Sequence, residues 1–197
     1  MLSLFQKVIG LLVPCIMGVL LLPYSSSNAA DVTAVEPANS AGESLSPGLK
    51  GWYYSRDLSR LRELRDWMKW KDGKEGPPLL SLDYPETTGP VLTATQEDLV
   101  GARIEGAILL SEVGQYRFKV LSNDGIQVDI GGKKVLKDDR THSTRFSKEG
   151  TVTVNTPGWY SVYILYFERR HSAALQLHWT TPSINSMHVV PPEVFGH

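Results

Sequence analysis

The sequence has almost no cysteine. Its single cysteine among 197 residues, Cys15, lies in an apolar segment at the amino terminus. Once that segment is removed, the mature chain has no thiol and can form no disulfide, although its route leads to an oxidising compartment. The folded core must therefore be held together by packing alone.

The chain also lacks an excess of charge of either sign. It carries 20 Lys and Arg residues against 21 Asp and Glu residues, which gives a formal net charge of −1. Without a basic excess, nothing favours nucleic acid or an acidic membrane surface as a partner. Since 42% of the residues are hydrophobic, a chain of this length can bury one sizeable core, and we expect one folded domain.

The common catalytic and metal-binding signatures are missing too. The sequence contains no phosphate-binding glycine loop, no nucleophile-elbow serine, no HExxH and no cysteine pair. The acidic pair in KDDR, Asp138 and Asp139, is interpreted as part of a solvated turn. The histidines lack ligand spacing and are interpreted as ordinary surface or loop residues; they are His142, His171, His178, His188 and His197. The sequence thus predicts a protein that is not an enzyme.

The amino terminus is typical of a signal peptide. Lys7 begins the apolar run and small residues follow it in SSSNAA, which predicts residues 1–29 as a signal peptide and a secreted or periplasmic protein. An uncleaved anchor is a weaker alternative, because the run is short and Pro14 interrupts it. A lipoprotein is weaker still, because a proline precedes Cys15. Contact with a membrane is expected only if the signal segment is retained.

The predicted signal peptide is followed by a stretch without aromatic residues. Residues 30–47 are rich in Ala, Ser, Pro and Glu and offer too little apolar surface to offset the entropy of ordering. We therefore expect a flexible spacer over residues 30–47 and a folded domain over residues 48–197.

One amphipathic helix is predicted near the start of this domain. In SRDLSRLRELRDWMKWKDG, Asp57 is a plausible N-cap and Gly73 a plausible stop. Trp70 would project away from the apolar stripe, so either the helix ends earlier or Trp70 is exposed. We favour a Trp70 that folds back over the edge of the core, because a large aromatic side chain seldom stays exposed without a use. The apolar stripe consists of Leu58, Leu61, Leu64 and Met68.

From Val100 onward, apolar residues recur with a period of two. Turn-forming residues separate six short strand patterns, which predicts an antiparallel all-β sandwich or barrel. In WYSVYILYF both alternating sets are apolar, which predicts a strand covered on both faces. In AALQLHW, Gln176 and His178 indicate one wet face. The six patterns are ARIEGAILL, QYRFKVL, IQVDI, TVTV, WYSVYILYF and AALQLHW.

The order of several motifs resembles a known family. The motifs are GLKGWYY, GQYRF, SNDG followed by VDIGG, GWYSVYILYFE, AALQLHW and VVPPEVF. Together they resemble the protective-antigen domain, which occurs in anthrax toxin, bacterial glycosidases and fungal adhesins, and they cover about Gly48 to Phe195. The resemblance implies an antiparallel β-sandwich with a jelly-roll or barrel-like topology. Adhesin members of this family bind sugars through calcium, using two aspartates joined by a cis peptide and a second loop.

Carried onto this sequence, the resemblance places Asn123 and Asp124 at the two aspartate positions and FERRHSA in the second loop. The candidate calcium ligands are Asn123, Asp124 and Glu168. Arg169, Arg170 and His171 join them as candidate ligand-binding residues. Asn123 lacks the charge of the family aspartate, and the two arginines would repel a cation. The competing interpretation is that NDG is a plain hairpin turn, whose residues tolerate positive φ and need no ion.

These observations leave three hypotheses about function. The leading one is a secreted or cell-envelope binding module that presents the two loops to a glycan, with calcium as the candidate cofactor. The rival is a calcium-independent module of the cell envelope that contacts another protein or has a structural role. The third is an accessory domain that acts with a separate enzyme.

Overall fold

The computed structural model describes residues 30–31 and 45–197. Within these ranges the chain forms fourteen strands, one α-helix and one 3₁₀ turn. The helix is α1 (Leu61–Met68), and the 3₁₀ turn spans Pro192–Val194. The strands are β1 (Ala30–Asp31), β2 (Lys50–Ser55), β3 (Lys74–Glu75), β4 (Asp83–Thr87), β5 (Val100–Leu110), β6 (Gly114–Asn123), β7 (Ile126–Ile130), β8 (Lys133–Asp138), β9 (Arg145–Phe146), β10 (Gly150–Val154), β11 (Gly158–Glu168), β12 (Ala173–Thr180), β13 (His188–Val189) and β14 (Phe195–Gly196).

The strands form two sheets that pack face to face. One sheet has the order β1-β10-β6-β12-β13, with β4 also paired to β12 and β9 to β6. The other has the order β3-β2-β5-β11-β7-β8, with β14 also paired to β5. Every pairing is antiparallel except that of β1 with β10. The inner faces share one apolar core, so the predicted all-β sandwich with one helix near its start is confirmed.

Strand β11 lies at the centre of its sheet, between β5 and β7. One of its faces joins the core between the sheets, through Tyr160, Ile164 and Tyr166. On its other face, Leu165 and Phe167 pack in a second cluster with the apolar side of α1. The prediction of a strand covered on both faces is therefore confirmed for this end of β11.

Helix α1 is shorter than the sequence pattern predicts. It begins at Leu61 and ends at Met68, so Asp57 and Gly73 lie outside it and neither caps it. The side chain of Glu63 instead accepts a hydrogen bond from the backbone N–H of Ser59 at 2.8 Å. That bond ties the residue that precedes the N-cap Arg60 to the first turn of the helix. Trp70 is 81% exposed, so the expectation that it folds back over the core is wrong.

The turn between β7 and β8 shows what a plain hairpin looks like in this chain. Gly131 and Gly132 have φ values of 58° and 73°, both in the left-handed region that two-residue hairpins require.

Strand β8 was not predicted, and it includes Asp138 from the run interpreted as a solvated turn. Asp138 accepts hydrogen bonds from Arg145 at 2.7 and 3.0 Å, which corrects that interpretation.

Part of the predicted spacer belongs to the fold. Residues 30–31 pair with β10, and Ser46 exchanges two backbone hydrogen bonds of 2.9 Å with His197. The ordered domain thus begins before residue 48. The predicted signal peptide, residues 1–29, lies outside the described residues. No helix among the residues described is long and apolar enough to cross a bilayer.

Candidate functional site

The turn between β6 and β7 carries the first pair of candidate residues. A cis peptide joins Asn123 to Asp124, and neither residue has a positive φ, so the turn is not the simple hairpin that NDG favours. Gly125 follows because of close packing: a Cβ atom there would overlap the ring of Phe167 on β11. The backbone N–H of Asp124 donates to the carbonyl of Phe167 at 3.1 Å, which fixes the turn against β11.

The carboxylate of Asp124 ties together two loops that are distant in sequence. Its Oδ1 accepts a hydrogen bond from the backbone N–H of His142 at 2.8 Å. Its Oδ2 accepts one from the backbone N–H of Arg169, also at 2.8 Å. Asp124 is buried, at 5% exposure, and hydrogen bonds to a charged acceptor are stronger than neutral ones. Asp124 therefore positions the backbone on both sides of the turn.

Asn123 is held by hydrogen bonds at both its side chain and its backbone. Its amide nitrogen Nδ2 donates to Ser172 Oγ at 3.0 Å and to Thr144 Oγ1 at 3.3 Å. Its backbone carbonyl accepts a hydrogen bond from the hydroxyl of Tyr166 in the core. With the nitrogen occupied, the side-chain oxygen of Asn123 remains as an acceptor for a ligand.

These residues surround a cleft of about 470 Å³ at one end of the sandwich. Three segments form its walls: the 123–124 turn, the loop between β8 and β9, and the loop between β11 and β12. The cleft thus brings together five of the six residues predicted as ligand-binding, and all of its lining side chains are polar. They are Asn123, Asp124, Thr141, His142, Ser143, Arg169, Arg170, His171 and Ser172.

Glu168, the sixth predicted residue, does not line the cleft. It ends β11 with 0% exposure, and neither of its carboxylate oxygens has a hydrogen-bond partner. Burial raises the pKa of Glu168 to about 8, and the negative charges of Asp98 and Asp124 act in the same direction. At neutral pH Glu168 is therefore a buried neutral acid beneath the turn, and a ligand in the cleft would not contact it directly.

The loop after β11 is anchored by two aspartates from another part of the chain. Asp98 Oδ1 accepts a hydrogen bond from the backbone N–H of His171 at 2.8 Å. Asp57 accepts from Arg169 at 2.7 Å and from Arg170 at 3.3 Å. The hydrogen bond from Arg169 is the main cause of the lowered pKa of Asp57. The two arginines are thus oriented along the rim of the cleft.

Sequence patterns gave no indication of the third wall, Thr141 to Ser143. His142 was expected to be an ordinary surface or loop residue, but its side chain is only 4% exposed. Its Nε2 lies 3.5 Å from Asp138 Oδ2 and its Nδ1 lies 2.9 Å from the carbonyl of Ser143. This wall is fixed by the bond from the backbone of His142 to Asp124, which no residue spacing reveals.

The donor set of this cleft does not fit calcium. Calcium takes six to eight oxygen ligands, and its affinity rises with the number of charged ones. Here Asp124 is the one carboxylate among the lining residues, and each of its oxygens already accepts a backbone N–H. The unpartnered oxygens of Glu168 do not add to this donor set, because Glu168 is fully buried and does not line the cleft. Within residues 30–31 and 45–197, no group of three acidic, His or Cys side chains could hold a metal.

The arrangement is suited to binding a polar molecule by hydrogen bonds. The cleft volume lies within the range of about 300–1,000 Å³ that is usual for small-molecule sites. Arginine, asparagine, serine and threonine offer both donors and acceptors, and their positions are fixed by the contacts described above. A second carboxylate that could work with Asp124 as an acid and base pair is not among the lining residues.

Comparisons with solved structures agree with this fold. The PA14 domain of the antifreeze protein MpAFP is 18% identical, with a TM-score of 0.65, and the match covers 81% of this chain and 95% of that one. The PA14 sugar-binding domain from an RTX adhesin is 19% identical, with a TM-score of 0.59 and coverage of 77% and 98%. The epithelial adhesin 9 A domain from Candida glabrata, in complex with Galβ1-3GlcNAc, is 12% identical, with a TM-score of 0.64 and coverage of 85% and 94%.

Comparison of the sequence with models of protein families identifies the family of this chain. No curated protein matches the chain in sequence. The sequence profile of the PA14 domain, however, matches residues 45–191, which is most of the chain and nearly all of the described range 45–197. The resemblance to the protective-antigen domain is thereby confirmed, and the chain belongs to the PA14 domain family.

Proposed function

We propose that this protein is a non-enzymatic module that binds a carbohydrate in the cleft between the 123–124 turn and the loop after β11. The observation that carries the proposal is the composition of the cleft: all of its lining side chains are polar, and a buried aspartate fixes the loops that carry them. A sugar presents closely spaced hydroxyl groups, each of which donates and accepts hydrogen bonds. Fixed donors and acceptors bind such a ligand with little loss of side-chain entropy.

The direct contacts are assigned to the residues at the rim. Arg170 is 59% exposed at its side chain, and its guanidinium has several donors besides the one used by Asp57. Ser172 and the side-chain oxygen of Asn123 supply hydroxyl and carbonyl groups on the neighbouring wall. Two of the similar structures support a carbohydrate as the ligand, because one is described as a sugar-binding domain and another holds a disaccharide.

In this proposal calcium is not required. The positive charge of Arg169 and Arg170 and the single charged acid in the cleft favour sugar hydroxyls bound by protein groups over a cation. Calcium assistance stays a prediction of the family resemblance, and binding measured in a chelator decides between the two routes.

Catalysis is not part of the proposal. Hydrolysis of a glycosidic bond generally needs two carboxyl groups on either side of the bond. The cleft offers Asp124, whose two oxygens hold the loop backbones, and Glu168 is buried beneath it with 0% exposure. The residues therefore supply binding without the pair of carboxyl groups that this hydrolysis uses.

We also propose that the protein acts outside the cytoplasm. The support is the signal-peptide pattern of residues 1–29 together with the adhesin domains among the similar structures. Amino-terminal sequencing of the protein recovered from the periplasm or medium tests this proposal. A mature chain that starts at Ala30 is the expected result, and a protein retained in the cytoplasm with Met1 intact contradicts it.

A glycan array tests the binding proposal. The wild-type protein should bind a subset of immobilised glycans, and Arg170→Ala should lose most of that signal. Lys133→Ala is the matched control, because it removes an equal charge from an exposed position at the β7–β8 turn and should leave the signal unchanged. Absence of binding to every glycan, or equal binding by the wild-type and Arg170→Ala proteins, would contradict the proposed site.

A further inference from the structure

A second cleft of about 480 Å³ lies beside helix α1. Its walls come from the segment after β2, from the exposed side of α1 and from the residues that follow the helix. In contrast to the first cleft it contains two tryptophans. The lining residues are Arg56, Asp57, Glu63, Asp66, Trp67 and Trp70.

Trp70 is the most exposed large apolar side chain of the described chain, at 81%. Its neighbour Trp67 is half buried, and the guanidinium of Arg56 lies 4.2 Å from the centre of the Trp67 ring. Trp67 thus has a structural role against the second apolar cluster and Arg56. Trp70 is not part of either core cluster, so its exposed ring is available to contact a ligand in this cleft.

The acidic groups of this cleft already have cationic or hydrogen-bonding partners. Glu63 accepts hydrogen bonds from the backbone and hydroxyl of Ser59 at 2.8 and 3.0 Å. Asp66 accepts one from Lys69 at 2.7 Å. Since these carboxylates already accept hydrogen bonds and Arg56 also lines the cleft, the cleft is not specialised for a cation. Its carboxylate oxygens retain further lone pairs and can accept hydrogen bonds from a neutral ligand.

The two clefts share one boundary. Asp57 lines the second cleft, and its partners Arg169 and Arg170 line the first. The hydrogen bonds between them, at 2.7 and 3.3 Å, form the wall that separates the two spaces. A ligand long enough to cross this exposed ion pair would contact both clefts.

From this arrangement we infer that the second cleft is a further saccharide subsite and that the protein's ligand is an oligosaccharide spanning both clefts. The inference rests on the proposed function of the first cleft. A pyranose ring has an apolar face of C–H groups and a rim of hydroxyls. Trp70 offers a flat apolar surface for that face, while Asp57 and Glu63 lie where they can accept hydrogen bonds from the rim.

The test compares ligand length with the presence of Trp70. Calorimetry of the full chain uses three matched series: maltose and maltotetraose, chitobiose and chitotetraose, and lactose and lacto-N-tetraose. In the series that the wild-type protein binds, the tetrasaccharide should bind about tenfold more tightly than the disaccharide, a ratio that corresponds to about 1.4 kcal/mol. In Trp70→Ala this ratio should fall to about one, and Trp70→Phe should restore part of it.

Leu80→Ala is the matched control, because Leu80 is also a large exposed apolar residue, at 60%, and lines neither cleft. In Leu80→Ala the affinity ratio of tetrasaccharide to disaccharide should equal that of the wild-type protein. Trp70 fluorescence gives a second readout: a tetrasaccharide should change the emission of the wild-type protein more than that of Trp70→Ala.

The outcomes separate this inference from the proposed function. An unchanged ratio in Trp70→Ala, or no length preference in the wild-type protein, overturns the second subsite and leaves the first cleft standing. Loss of the ratio in Trp70→Ala without any effect of Arg170→Ala supports the second subsite and overturns the proposed first site. No binding to any of the six sugars overturns both.

Discussion

Replacing Asp124 by Ala tests how the two loops of the first cleft are held in place. The substitution removes the acceptor for the backbone N–H of His142 and for that of Arg169, each donating at 2.8 Å. Each of these bonds joins a loop to the turn at the end of the sandwich. Both N–H groups would then need a new partner or would remain unsatisfied.

The expected magnitude follows from those two bonds. A hydrogen bond to a charged group contributes about 1.5–3 kcal/mol to stability, so two of them contribute about 3–6 kcal/mol. Both loops are only partly buried, and water can replace some of the lost interaction. We therefore expect Asp124→Ala to lower the free energy of unfolding by about 3 kcal/mol, the lower end of that range. For a domain of this size the loss corresponds to a fall in Tm of about 6–12 °C.

Urea denaturation of the wild-type and variant proteins measures this change. Asp124→Asn keeps one carbonyl oxygen and should lose less stability than Asp124→Ala. Asp72→Ala removes an exposed aspartate and should change the free energy of unfolding by less than about 0.5 kcal/mol. A loss below about 1 kcal/mol in Asp124→Ala would refute the conclusion that this carboxylate holds the loops.

Two further predictions concern β11. In urea denaturation, Leu165→Ala should lower the free energy of unfolding by about 2–5 kcal/mol, because Leu165 is fully buried against α1. Tyr163 is half buried, so Tyr163→Ala should lower it by less. Equal losses would show that the helix side of β11 is misassigned. Glu168 has a folded pKa of about 8, above the unfolded value of about 4.3, so the wild-type protein should lose stability as pH rises between these values, by up to about 1.4 kcal/mol per unit. Glu168→Gln should remove this dependence of stability on pH, and its stability should exceed that of the wild-type protein most above about pH 8. Identical curves of stability against pH for the two proteins would contradict the raised pKa.

The sequence predicted most of the central strands and missed β2 and several strands at the edges. β5, β6, β11 and β12 carry apolar residues at every second position because they contribute to the core. β8 and β4 lie at or near the sheet margins and are mostly exposed or half exposed, so their residues carry little of that pattern. The bounds of α1 were also missed, because the apolar spacing begins at Leu58, before the helix, and the predicted stop Gly73 lies beyond its last residue, Met68.

The first cleft could be predicted only in part, for a similar reason. Asn123, Asp124 and the loop from Arg169 to His171 were identified through the family resemblance, which preserves their positions along the chain. Thr141 to Ser143 were missed because backbone hydrogen bonds bring them to the cleft, and such bonds leave no mark in residue type. Glu168 occupies a loop position in the motif but ends β11 with its side chain buried, which only the strand's register reveals.

The exposure of Trp70 shows the limit of arguing from average burial. Large aromatic side chains are usually covered, and that tendency favoured a Trp70 folded over the core. Helix α1 ends at Met68, however, and the following residues carry Trp70 away from both apolar clusters. The residue that departs from the tendency is the one on which the second subsite depends.

Calorimetry of glycan binding with and without calcium tests the central claim most directly. A glycan selected on the array is titrated into the wild-type protein in a chelator and again in millimolar calcium, and then into Arg170→Ala. Direct hydrogen bonding by the cleft predicts the same affinity in both buffers and a loss of about tenfold or more in Arg170→Ala. Binding that appears only with calcium, or an affinity unchanged in Arg170→Ala, would contradict it.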